Sequence, residues 1–427
     1  MIESNIAQIE SFTLSNNIKV HLIKRDNIPV VTYTIGFPAG AKDDEQGKSG
    51  TAHLLEHLMF ENGPVVNGPV VNGDNYDDLL HYRGGNSNAL TSQDYTIYIA
   101  NIPSNGFEFL LWLEKERFSD FRITEESFYV QKSVVTEERS MYYDNAPYGT
   151  ALERASAHLF EGTLYRTPVI GYREEIQAIT LQDVKNFYEK NYDFGNSVIT
   201  VIGDIELSKM QDLLEKYFGG FYSKNSKIRQ NYLSEPIQKS VKDTFVDNVS
   251  LPGEFIYYRT PGFLTQEYFA LQIISELIAG GESSELYKFL VRDKKHLQSI
   301  ESYLIPFKYA GLFAIEFYYT VDGKKEIVDE SLLNYIETIQ KELIPARTIE
   351  KAKNKILTEY YQSLQLSSFL AERIAEFCLM GKSVDLVFNE YKGYEFLSAA
   401  EIAEVSRAFL KEDNKVELNY IPNVNTK

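Results

Sequence analysis

Cysteine is nearly missing from this chain: Cys378 stands alone among 427 residues. A lone thiol excludes an intramolecular disulfide and a metal site built from cysteines. Basic excess is missing too. With 43 Lys and Arg against 61 Asp and Glu, the net charge is −18, and such a chain lacks the positive face that phosphate contacts need. No apolar run approaches the length of a membrane span. The opening residues Met1 to Ala7 carry neither the basic nor the apolar region of a secretion signal, so a cytoplasmic location is expected, or a periplasmic one had a leader been removed. Histidine is scarce, six in all. Four of the six, His21, His81, His158 and His296, show no ligand-like spacing to one another or to a carboxylate pair.

What is present is apolar and aromatic: 44% and 13% of the residues. That content packs a globular protein, and the length asks for at least two cores. Residues 9–37 alternate apolar and polar and predict two antiparallel strands. A helix is expected over 51–60, where good helix formers run without Gly or Pro. Asn62-Gly-Pro-Val-Val is then repeated from Asn67, a unit suited to a surface loop. Helices are expected at 76–83, 106–117, 125–143, 148–160 and 180–190. Strands are expected through Tyr95–Ile102 and Ser197–Ile202. Residues 180–202 and 397–421 read alike: a helix, a turn, an apolar strand. Phe255 to Gly262 mirrors Thr32 to Ala39 in the same way. The reading is an α+β chain of two homologous domains, each a mostly antiparallel sheet packed with helices. The N-terminal domain spans 1–220, a polar linker 221–236, and the C-terminal domain, without the metal motif, 237–427.

The chemistry concentrates in Gly50-Thr-Ala-His-Leu-Leu-Glu-His-Leu-Met-Phe-Glu61, where His53, Glu56 and His57 spell H-x-x-E-H. On a helix, residues four apart stack on one face, so both imidazoles can reach one ion. Zinc is the usual occupant of such a pair. Glu56 leans over the same face, where a carboxylate can take a proton from a metal-activated water.

The order H-x-x-E-H is the inverted zinc-protease signature, and the chain resembles the inverzincin family of zinc metallopeptidases in its short, two-domain bacterial form. The family includes pitrilysin, insulin-degrading enzyme and the mitochondrial processing peptidase. Besides the helix, the likeness rests on Gly84-Gly85 with Asn88-Ala89 and Thr91-Ser92, on Asn145-Ala-Pro-Tyr-Gly149, and on Gly171 with Glu175. It extends to Gly203-Asp204, Thr260-Pro-Gly262 and Gly280-Gly-Glu-Ser-Ser-Glu-Leu-Tyr287.

The resemblance implies a third zinc ligand on a later helix in a Val-Val-x-x-Glu setting, which is Glu138, with Glu137 left as a solvated neighbour. Seven residues earlier, relatives often carry a supporting Glu; here it is Gln131, so weaker support of the ligands is expected. Asn88 and Ala89 match the edge strand to which a substrate peptide adds, or else form an ordinary hairpin edge. In the second domain relatives supply an Arg and, seven residues on, a Tyr. Arg292 fits the Arg, or is a solvated helix charge, and Ser299 stands where the Tyr would be; Tyr303 lies further along. The resemblance therefore implies a zinc-dependent metalloendopeptidase whose peptide-cleaving chamber needs a second subunit. The expected partner is a paralogue supplying Arg and Tyr, with a homodimer as the alternative. A catalytically silent scaffold or peptide-binding subunit is the reading from another class.

Overall fold

The computed structural model describes residues 8–26, 28–61, 75–223 and 240–423. The tandem repeat and most of the expected linker lie outside the described residues. The first half of the chain contributes β1 (Glu10–Thr13), β2 (Lys19–Lys24), β3 (Val30–Phe37), β4 (Asn86–Thr91), β5 (Thr96–Pro103) and β6 (Val198–Gly203). They form one sheet in the order β1-β2-β6-β3-β5-β4. The expected pairing of the two long N-terminal strands does not occur, because β6 lies between them, parallel to β2 and antiparallel to β3. Its sequence explains the place. Val198-Ile-Thr-Val-Ile-Gly203 is buried at every position, as a strand covered on both faces must be.

The helices of this half are α1 (Thr51–Glu61), α2 (Tyr76–His81), α3 (Phe107–Ser119), α4 (Glu125–Arg139), α5 (Ala151–Leu159), α6 (Arg173–Ala178), α7 (Leu181–Asn191) and α8 (Leu207–Phe218). The helix expected over 125–143 ends at Arg139 and passes into a wider turn over Ser140–Asp144. α7 starts at a reciprocal cap. The Thr180 hydroxyl accepts from the Asp183 N–H at 3.2 Å, and the Asp183 carboxylate accepts from the Thr180 N–H at 2.8 Å, which satisfies two donors the helix itself leaves unpaired.

The second half contributes β7 (Val241–Asp247), β8 (Gly253–Pro261), α9 (Gln266–Ala279), β9 (Leu297–Pro306), β10 (Ala310–Tyr319), α10 (Lys325–Gln340), α11 (Ala346–Ser363), α12 (Ser367–Leu379) and β11 (Lys415–Pro422). Its sheet runs β7-β11-β8-β10-β9. Matched strand for strand, this is β2-β6-β3-β5-β4, with the parallel pair at the same end. Even the cap recurs: Ser398 and Glu401 bond reciprocally at the helix Ala399–Phe409, which precedes β11 as α7 precedes β6. The two homologous α+β domains are there.

They are not continuous in sequence. One compact unit comprises Met1–Arg139, Thr167–Gln230 and Gln362–Phe388, the other Ser140–Arg166, Asn231–Tyr361 and Asn389–Lys427. A cut in 221–236 does not separate them. In the first unit, Tyr33 of β3 stacks on Phe218 of α8 and Phe37 packs at a tilt against Phe118 of α3, while Gly36, on the opposite face, meets Leu379 of α12. In the second unit, Ile256, Tyr258, Phe313 and Ile315 face α9 and α10. Phe255, Tyr257, Leu312 and Ala314 face α5. Each sheet thus takes the cover of one face from the other half of the chain. Among the described residues no helix is long and apolar enough to cross a membrane.

Candidate metal centre

α1 buries Ala52, Leu54, Leu55, Leu58 and Met59 and leaves His53 and His57 partly open, at 13% and 24% side-chain exposure. Beneath it lies a sealed ion pair. Arg117 and Glu114 of α3 form a salt bridge with both side chains at most 1% exposed. The guanidinium carbon sits 3.7 Å from the Tyr76 ring centroid and 5.2 Å from that of Phe60, on α1 itself. The Tyr76 hydroxyl donates to the same Glu114.

The start of α1 is fixed by backbone rather than by apolar packing. The Asp44 carboxylate accepts from the N–H groups of Gly50 and Ala52 at 2.7 and 2.9 Å, two donors that a helix start leaves unpaired. Gly50 and Gly171 both have positive φ, at 89° and 85°. A Cβ on Gly171 would lie 2.3 Å from the Ser49 carbonyl oxygen, so only glycine allows the two loops to cross there. Arg139 of α4 donates to the Gly171 carbonyl at 2.6 Å. One crossing therefore locks the first turn of α1 to the last turn of α4.

That lock places Glu138, the third candidate ligand. Gln131, Val135 and Glu138 fall on one stripe of α4, which packs on α1, whereas Glu137 is exposed. Glu138 Oε2 lies 3.5 Å from His57 Nε2 and 3.8 Å from His53 Nε2. Ligand atoms of all three residues fall within 4.8 Å of one another. Tetrahedral zinc, with bonds of about 2.0–2.1 Å, separates its donor atoms by about 3.3–3.4 Å, so Glu138 needs to move by only a few tenths of an ångström, while the widest gap in the set closes by roughly an ångström or slightly more. His53 Nδ1 is buried with no hydrogen-bond partner among the described residues; packing orients that ring and leaves Nε2 open to an ion.

The electrostatics point the same way. Burial, helped by the neighbouring His57, lowers the His53 pKa to about 4, so the ring is neutral and able to ligate at pH 7. For His57, burial pulls downward but is outweighed by Glu138 and Glu56, and its pKa rises. Glu138, bonded to that ring, has its pKa lowered and stays ionised. Glu56 is 9% exposed, and burial raises its pKa, the direction that would suit a general base.

A family model described as insulinase (peptidase family M16) matches residues 19–171, and one described as the peptidase M16 inactive domain matches 178–356. The chain belongs to the M16 peptidase family. It is 26% identical over 414 residues, covering 96% of this chain and 92% of the other, to the zinc protease PqqE of Helicobacter pylori. It is similar to the crystal structure of a protease from Helicobacter pylori, with a TM-score of 0.89, 25% identity and coverage of 98% and 100%. A Pseudomonas fluorescens structure described as a peptidase M16 inactive domain matches in fold at a TM-score of 0.84, with 18% identity and coverage of 98% and 99%.

The remaining sites expected of this M16 chain divide. Asn88 and Ala89 lie on β4, the terminal strand of its sheet, so among the described residues half of its backbone polar groups have no strand partner. Thr91, at the end of the same strand, donates its hydroxyl to Glu56. Gln131 bonds His57 and donates from Nε2 to Glu61 at 2.8 Å. The carboxylate that position 131 lacks is supplied by α1 itself, one turn beyond His57. Arg292 belongs to the other unit, on the helical turn Tyr287–Asp293, where its Nε bonds Asp293 at 3.1 Å. Ser299 lies on β9 opposite Tyr318. The hydroxyls of Tyr303 and Tyr318 both donate to Glu316.

Sequence reasoning missed Asp44, Glu61, Arg139 and the particular role of Thr91. Only Glu61 carried a usable signal: it stands four residues after His57, on the same helix face.

Proposed function

We propose that this chain is a zinc metalloendopeptidase that hydrolyses peptides or small unfolded polypeptides in a chamber completed by a second subunit. The observation that carries the reading is the convergence of His53, His57 and Glu138 with the buried Glu56 on the same helix. The relative named a zinc protease over nearly the whole chain supports both the metal and the reaction class. Zinc held by those three residues would supply a Lewis acid that polarises the scissile carbonyl and makes water acidic at neutral pH. Glu56 takes the proton of the attacking water and returns it to the leaving amine. Glu138 and the two imidazoles stay put, held by Arg139, Gln131 and packing. The peptide adds as a strand along β4 at Asn88 and Ala89, a mode that reads backbone more than side chains. Paired subunits are frequent in the family. A paralogous partner supplies the Arg and Tyr that Arg292 and Ser299 do not provide together, with a second copy of this chain as the alternative.

A catalytically silent scaffold is the competing reading, favoured by the fold match to a structure described as an inactive domain. The test is zinc content and peptide cleavage of the purified chain, alone and mixed with its paralogue, for the parent and Glu56→Gln. The parent is expected to hold about one zinc and to cleave. Glu56→Gln should keep the metal and lose turnover by about 10²–10⁴-fold. Turnover by Glu56→Gln at the parent rate removes Glu56 as the base. No zinc in any sample leaves the scaffold.

A further inference from the structure

Glu56 is a buried carboxylate, and such a group keeps its place only if its oxygens are bonded. Its partner among the described residues comes from one point of the sheet. Thr91 donates its hydroxyl to Glu56 Oε2 and its backbone N–H to the same carboxylate. Thr91 is as buried as Glu56, at 9%. Its Oγ1 lies 3.3 Å from the hydroxyl of Thr96, which in turn donates to the Ala39 carbonyl at 2.9 Å. Both bonds to Glu56 therefore issue from a residue braced on β5.

Thr91 is also the last residue of β4, and β4 is paired on one side only, from Asn86 opposite Asn101 to Thr91 opposite Thr96. Asn86, Asn88 and Leu90 are exposed, while Ser87, Ala89 and Thr91 turn inward, the side on which α1 packs. A chain that pairs along the free edge of β4 stiffens the strand whose end holds Glu56.

We infer that Thr91 is a positioning residue that couples occupation of the β4 edge to the placement of Glu56, so that peptides long enough to pair along Asn86–Leu90 are turned over faster as well as bound better. The inference rests on the metallopeptidase reading. Remote binding energy is here converted into rate. A four-residue peptide cannot hold the scissile bond at the metal and also pair along a strand of roughly 20 Å. A ten-residue peptide can.

The experiment compares the zinc-loaded parent, Thr91→Val, Thr91→Ala and Thr91→Ser on quenched peptides of about four and about ten residues, with Glu56→Gln in parallel. In the parent, kcat rises with peptide length. Thr91→Val and Thr91→Ala, which lack the hydroxyl, lose about tenfold in kcat on the long peptide, with KM within about twofold, and the length effect flattens. Thr91→Ser restores it. In the metal-free proteins, calorimetry gives the same affinity for the long peptide in parent and Thr91→Val, since only positioning is lost. Should one hydroxyl-free variant fail to fold, the other carries the comparison. The coupling is overturned if both keep the parent's length dependence, if Thr91→Ser behaves like Thr91→Val, or if the loss falls on KM and on metal-free affinity. Activity in Glu56→Gln would instead bring down the metallopeptidase mechanism, a result separable from all of these.

Discussion

In one unit β3 leads into α1, in the other β8 leads into α9, and each helix packs against the terminal strand of its sheet, β4 or β9. The two helices hold the same place and carry different cargo. α9 buries Tyr268, Ala270, Leu271, Ile273, Ile274, Leu277 and Ile278, and among the described residues none of its side chains joins a candidate metal group. α1 buries a comparable apolar set and adds His53, Glu56 and His57. The fold depends on the apolar positions, which both helices keep; the chemistry rides on a few polar ones, which a copy can lack without losing its sheet. The buried ion clusters of the two units differ as well. The unit that carries α1 hides the Arg117–Glu114 pair completely. In its counterpart, Lys325 bridges Glu254, Asp329 and Glu417 with its own side chain 32% exposed.

The largest expected effect separates these two ion clusters. Arg117→Ala removes the cation that pairs with the buried Glu114 beneath α1, leaving it the Tyr76 hydroxyl as partner, and should cost about 3–5 kcal/mol of stability. Lys325→Met should cost clearly less, because Glu254, whose pKa burial already raises to about 7, can take a proton instead. Urea unfolding of the two variants checks the difference, and equal midpoints would dissolve it.

The next effect belongs to α1 alone. Glu61→Gln removes the carboxylate behind Gln131 and His57 and should weaken zinc binding by about 10–100-fold without moving the unfolding midpoint. Competition with a chromophoric chelator measures it, and unchanged affinity would make the Gln131–Glu61 bond incidental.

The smallest is graded by pH. In the metal-free protein the His57 pKa lies above its ordinary 6.5 and that of His53 near 4. Above the His57 pKa no proton competes with the ion and affinity is flat. Below it, one proton must leave, so affinity falls about tenfold per pH unit; the slope steepens again only near pH 4, where His53 titrates. Chelator competition across pH 4–8 reads the two breaks. A single break with twice the slope would mean that the rings titrate together.

Much of this was legible beforehand, for physical reasons that can be named. α1 was bounded almost to the residue because its periodicity is local and unbroken by Gly or Pro. The helix expected over 180–190 runs Leu181–Asn191. Glu138 followed from the family pattern, and the structure puts it beside the two imidazoles. What stayed hidden is set by contacts distant in sequence. Nothing in residues 9–37 reveals that β6 inserts between β2 and β3, since an apolar strand from residue 198 onward competes for that place only in three dimensions. Within residues 84–92, where Gly and Asn crowd, the family likeness rather than composition pointed to an edge strand at Asn88 and Ala89, and Asn86–Thr91 pair with β5. Tertiary pairing outweighed weak strand propensity. Asp44 and Thr91 act across loops, where spacing carries no signal.

The exchange of segments between the units also governs how the molecule can be made. The sheet that carries the metal helix draws its second cover, α12, from Gln362–Phe388, which leaves the ribosome long after β6 has emerged. At cellular synthesis rates the intervening stretch takes roughly 10–30 s, and throughout that time Gly36 and its neighbours have no Leu379 to meet. The nascent first half therefore waits, open on one face, for a piece of the chain not yet translated. A gene cut between the halves would yield two products, each lacking a layer that only the other encodes.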